Sequence, residues 1–117
     1  MHSEIIIDRS NELLLQSQQF EWDDEKNAAN QRKHGIAFAD ILPIFVVAET
    51  KALVAEDRRR DYGELRFVLL CPFRTKIYHV TFTRRGDTIR LISARRANWK
   101  EVQAYETSAH DQGRPDA

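Results

Sequence analysis

Two arginines, Arg85 and Arg90, bracket a Gly86-Asp87 pair inside the stretch Thr81–Ala97. Extended runs on either side of Gly-Asp read as a β-hairpin with a two-residue loop that needs positive φ. With the turn there, Arg85 falls opposite Thr88, Thr83 opposite Arg90, Thr81 opposite Ile92 and His79 opposite Ala94. One face is then polar and cationic. The other carries Tyr78, Val80, Phe82, Ile89 and Leu91 for a core, with Arg84, Ser93 and Arg95 towards its ends. Guanidinium groups stay charged and their planar fork binds two oxygens of one phosphate, so an anionic ligand is the natural occupant of such a face.

The whole-chain charge conceals this. Eighteen basic residues balance eighteen acidic ones. By segment, residues 1–57 hold 5 basic against 11 acidic, residues 58–100 hold 12 against 3, and residues 101–117 hold 1 against 4. A central excess of this size is a phosphate-facing footprint. The alternative is a solvated face whose arginines pair with acids from the N-terminal third.

At 117 residues the chain makes one domain, and 42% hydrophobic with 31% charged residues is a globular composition. No apolar run approaches the ~20 residues that span a bilayer, and the first residues show no secretory pattern. The single cysteine, Cys71, lies in the apolar run Phe67–Cys71 and reads as a buried, inert thiol. His2, His34, His79 and His110 are far apart, without zinc-type spacing. These features point to a cytoplasmic, metal-free protein with no membrane association.

The elements that must position the arginines follow from local signals. Residues 1–19 form an N-terminal extension in which Glu4–Asp8 suits a short strand, Ser10–Gln16 a helix start and Gln16–Gln19 a polar connector. Phe20-Glu21-Trp22 opens the domain proper as a short extended piece. Asp23 caps a helix that ends at His34, before Gly35 as the left-handed terminator. A second helix over Phe38–Val47 contains Pro43, which either kinks it or marks a start near Leu42. Strands are expected around Thr50–Val54 and over Leu65–Cys71, Lys76–Thr83 and Ile89–Ala94. A last helix is capped by Asn98 with Glu101 at the capping-box position, and Trp99, Val102 and Tyr105 share one stripe suited to packing. Residues 108–117 read as a flexible tail. The order predicts an α+β domain over residues 20–107: two N-terminal helices, an antiparallel sheet of three to four strands, and a C-terminal helix.

Four blocks in this order resemble the BrnT family, ribonuclease toxins of bacterial type II toxin–antitoxin modules. They are Phe20-Glu21-Trp22-Asp23 with Lys26 and Asn30; Lys33-His34-Gly35-Ile36 with Phe38; Glu64 with Arg66; and Thr83–Ala97 followed by Glu101 and Tyr105. The resemblance implies a RelE/ParE-like fold and an endoribonuclease that needs neither metal nor cofactor and blocks translation by cutting RNA. It also implies a cognate BrnA-like antitoxin, through which alone operator DNA is contacted. Ala37 departs from the family's usual Ser or Thr helix cap, Pro43 is foreign to the second helix, and residues 1–19 precede the family's usual start.

Metal-free RNA cleavage uses the adjacent 2′-OH as nucleophile and needs a base, an acid and cations around the phosphorane. On this resemblance Arg66 and Arg85 stabilise transition-state charge, and His34 and Glu64 are the proton carriers. The alternative, as in RelE-like nucleases, is slow cleavage by positioning and charge stabilisation, with no strong base and with arginine or lysine as a weak acid. Arg90, Lys33, Thr83 and Arg95 bind RNA, with Arg95 alternatively pairing Glu101 or Asp23. His34 is otherwise a helix-terminating cation, Glu64 a surface partner of Arg66, and His79 a packed strand histidine. Trp22, Trp99, Tyr105 and Phe45 suit core packing more than base stacking, and Arg58-Arg59-Arg60 a solvated turn. Two other readings use the same face: a non-catalytic nucleic-acid-binding module, and a scaffold for an acidic partner.

Overall fold

The computed structural model describes residues 5–6, 15–16 and 19–111. Their elements run β1 (Ile5–Ile6), β2 (Gln19–Glu21), α1 (Asp24–His34), α2 (Phe38–Ile41), α3 (Ile44–Lys51), β3 (Leu53–Glu56), β4 (Phe67–Phe73), β5 (Lys76–Arg85), β6 (Thr88–Arg96) and α4 (Trp99–Asp111). The fold is α+β. Its sheet has six strands in the order β1-β3-β4-β5-β6-β2, more than the three or four expected. It is also mixed, because β2 lies parallel to β6 while the other pairs are antiparallel. Both additions are two- or three-residue edge strands that only a distant partner defines. The expected helix start at Ser10–Gln16 lies outside the described residues, apart from Leu15 and Gln16; Leu15 is buried in the core.

Alternation along β4 and β5 sends Phe67, Leu69, Cys71, Val80 and Phe82 to one face, where Phe38, Ile41, Ile44, Phe45 and Ala48 of α2 and α3 cover them. Phe45 is the aromatic hub, its centroid 5.4 Å from Phe20 and 5.5 Å from Phe82. Burial pushes the Cys71 thiol up to about 12, the inert state its surroundings imply.

Pro43 divides the expected second helix into α2 and α3. It sits at φ −60° at the head of α3, where its missing N–H costs no helical bond, and its carbonyl accepts from Val46 N–H at 3.1 Å. Ala37 has no side chain to cap α2. The Asn27 side chain, from α1, does it instead, accepting from Phe38 N–H at 2.9 Å. Expected caps elsewhere are present: Asp23 Oδ1 accepts from Glu25 and Lys26 N–H, and Gly35 closes α1 at φ +70°.

The hairpin register differs from the expected one past its midpoint. Arg85 pairs with Thr88 and Thr83 with Arg90 as expected, but Thr81 pairs with Ser93 and His79 with Arg95. Ile92 is an extra residue on β6, a β-bulge between the Thr81 and Phe82 pairings. Beyond it the faces exchange, so Ala94 turns to the core and Ser93 and Arg95 turn to the polar side. Ala94 lies beyond the end of β2, and Asn30 supplies the missing strand pairing there. Its amide accepts from Ala94 N–H at 3.1 Å and donates to Ala94 O at 2.8 Å and Ile36 O at 2.9 Å. The helix α4 reaches Asp111, past the expected start of the tail at residue 108.

Candidate functional site

Three strands meet at the turn end of the sheet on the face away from the core. Arg66 precedes β4, Arg85 ends β5, and Arg90 lies in β6 beside Glu21 of β2. Two carboxylates join the three guanidinium groups. Glu64 is 3.6 Å from Arg66 Nε and 3.1 Å from Arg85, while Glu21 is 3.9 Å from Arg85 and accepts from Arg90 at 3.0 Å. The string Arg66–Glu64–Arg85–Glu21–Arg90 therefore carries one net positive charge. Arg85 keeps 54% of its side chain exposed, so part of its fork faces solvent. Thr83, at the base of the cluster, is buried and donates to Leu65 O at 2.6 Å, which fastens the Glu64–Arg66 segment to β5.

The loop between β3 and β4 is organised around one buried carboxylate. Asp57 accepts from Arg59 N–H, Nε and NH2 and from Tyr62 OH, all between 2.9 and 3.1 Å. The hydrogen-bonded Arg59 guanidinium, more than any other partner, holds the Asp57 carboxyl well below the usual carboxylate range. The Tyr62 ring lies under the Arg66 guanidinium at 4.1 Å, with Arg60 at 5.9 Å. Arg58 is bound to Glu56 at 3.2 Å and Arg59 to Asp57 at 2.9 Å, so two of the three arginines in the Arg58-Arg59-Arg60 run are folded back onto local acids.

At the other end of the same face α4 crosses the sheet. Asn98 and Glu101 form the reciprocal capping box, each bond 2.9 Å, and Glu101 also receives both Arg95 nitrogens at 2.8 Å. Those hydrogen bonds from Arg95 lower the Glu101 carboxyl to about 2. His79 lies beneath, its Nε2 3.8 Å from Glu101, and burial holds its pKa below the ordinary histidine value. Tyr105 is buried and donates to Lys51 O at 2.6 Å. Trp99 is 67% exposed and so does not join the core, as the stripe suggested; it lines a surface cavity with Ile77 and Val102.

The structure brings Arg66, Arg85, Arg90, Glu64 and Thr83 together. It does not bring His34, Lys33 or Arg95 to them. His34 and Lys33 are exposed at the end of α1, about one turn past Asn30, which is tied to the far end of β6. Arg95 is engaged by Glu101. Sequence reasoning missed three members of the neighbourhood. Glu21 stood in a quoted block, but only the parallel β2–β6 pairing shows that it faces Arg90. Asp57 and Tyr62 sit five residues apart in a loop, and no spacing rule marks them. Among the described residues, no three His, Cys, Asp or Glu side chains gather as a metal site, and no helix is long and apolar enough to cross a membrane.

The guanidinium forks have the geometry that can bind two oxygens of one phosphate, and in the free protein the two glutamates occupy them. Residues 22–101 match the family model of the ribonuclease toxin BrnT of type II toxin–antitoxin systems. The match spans most of the chain and every residue of the cluster except Glu21, and the chain belongs to the BrnT family. No curated protein matches it.

Proposed function

We propose that this chain is the toxin of a type II module and cuts RNA by metal-independent transesterification at the Arg66–Arg85–Arg90 face. The observation that carries the reading is the chain of three guanidinium groups, from the segment leading into β4, from β5 and from β6, in which Glu64 joins Arg66 to Arg85 and Glu21 joins Arg85 to Arg90. In this scheme a scissile phosphate displaces the glutamates from Arg85 and Arg90. Glu64 takes the 2′-OH proton, the 2′-oxygen bonds to phosphorus as the P–O5′ bond breaks, and the 5′-oxygen leaves with a proton from solvent water. Arg66 and Arg85 hold the extra negative charge of the phosphorane and Arg90 seats the strand. Thr83, expected to bind RNA, is buried with its hydroxyl on Leu65 O and only fastens the Arg66 segment. His34 and Lys33 lie too far along α1 for a part in this step. Arg95 serves α4.

The partner is a cognate antitoxin of the BrnA kind, and the architecture is of the RelE/ParE type. Residues 20–107 are the toxin unit, to which residues 1–19 add Leu15 in the core.

The test is cleavage of free single-stranded RNA in EDTA by the full chain and by Arg85→Ala. Cutting should fall at least about 100-fold in the variant, with its melting temperature unchanged because the side chain is half exposed. A folded Arg85→Ala protein that cuts normally overturns the site. A second reading, binding without cleavage, is favoured by the pairing of all three arginines in the free protein. It requires salt-sensitive RNA binding with no products.

A further inference from the structure

Arg66 is held unusually for a phosphate-binding arginine. Its Nε is buried and has no hydrogen-bond partner, and the 3.6 Å approach of Glu64 is too long to count as one. The close contact that fixes the plane of the guanidinium is the Tyr62 ring, 4.1 Å away. Tyr62 in turn is fixed at its hydroxyl by Asp57 Oδ2 at 3.0 Å, and the Asp57 side chain is only 2% exposed. Asp57 grips the same arginine a second way, since its main-chain N–H donates to Arg66 O at 2.7 Å. Backbone and side chain of Arg66 are thus referred to one buried carboxylate, the first by a hydrogen bond and the second through an aromatic ring.

We propose that Tyr62, anchored by Asp57, is a positioning residue for Arg66, holding its guanidinium at the angle from which it meets the phosphate. A guanidinium on a flexible stem loses rotamer freedom on binding an anion, and a stacked ring removes that freedom beforehand. The assignment rests on the ribonuclease reading above. It adds a residue that touches no substrate and whose influence passes entirely through Arg66.

The experiment measures kcat and KM for single-stranded RNA in EDTA with the full chain and its Arg66→Ala, Tyr62→Ala, Tyr62→Phe and Tyr62→Ala/Arg66→Ala variants. Misplacing one group by an ångström costs up to about 100-fold. Tyr62→Ala should therefore lower kcat about 10- to 100-fold while KM stays within about twofold. Tyr62→Phe, which keeps the ring but loses its bond to Asp57, should fall between wild type and Tyr62→Ala. The double variant should be no slower than Arg66→Ala alone, because residues acting through one another are not additive. A merely structural tyrosine would make the two losses multiply, and that result overturns the proposal, as does a wild-type kcat in Tyr62→Ala. Should Tyr62→Ala melt early, Tyr62→Leu takes its place in the same comparison. A wild-type protein that does not cut RNA, or an Arg66→Ala protein that cuts normally, instead refutes the underlying ribonuclease site, and the positioning role falls with it.

Discussion

Glu101 serves two structures with one carboxylate, starting α4 through Asn98 and holding Arg95 on the sheet. Its folded-state value of about 2 lies below the ordinary 4.5, so the unfolded chain binds more protons between them. The stability it contributes is complete above about pH 4.5 and is lost as the pH falls towards 2. His79 acts with the same sign at higher pH. Its burial, reinforced by Arg95 and opposed by Glu101, favours the neutral ring, so stability falls as acid charges the unfolded histidine first. Urea denaturation should show Glu101→Gln less stable than wild type by about 1–3 kcal/mol at pH 7, with the gap closing below pH 4. A gap at pH 2 as large as that at pH 7 would mean that charge is not the cause. Asn30 is a second single-residue fastening. Replacing it by Ala strands the N–H and C=O of Ala94 and the carbonyl of Ile36. A loss of about 2–4 kcal/mol in the same assay is expected for several buried bonds broken at once.

At the scale of elements, the sequence made local features legible and left long-range ones hidden. The hairpin turn showed because Gly-Asp is a turn signal and the flanking residues alternate; Gly86 does take φ +60°. Both termini of α1 showed because caps are local. The bulge at Ile92 did not, since Leu91-Ile92-Ser93 reads as well with one extra residue as without. The cationic half of the face was foreseen because it lies on the turn side of that bulge, while Arg95 was assigned to the wrong face because it lies beyond. The cap of α2 was hidden because Asn27 comes from another helix. Asn27→Ala should cost about 1 kcal/mol, the usual worth of a helix N-cap. A change below about 0.3 kcal/mol in chemical denaturation would show that solvent caps α2 equally well.

Across the whole molecule, a neutral chain keeps a cationic end because its acids are spent locally. Three arginines facing a strand give an expected slope of about −2 for the logarithm of RNA affinity against the logarithm of salt, at ~0.7 per phosphate contacted. A slope near zero would mean that the face does not meet phosphate. The strand order has one more consequence. The outermost strands on the two sides of the sheet, Ile5–Ile6 and Gln19–Glu21, both come from the first 21 residues. The start of the chain thus acts as hemming for a fabric woven from residues 53–96. Trimming residues 1–14 would keep Leu15 in the core and leave Glu21, Arg85 and Arg90 where they are, but bare the outer backbone of Leu53–Glu56, an invitation to edge-to-edge aggregation. The shortened protein should fail first in light scattering, by clumping, and not in its chemistry.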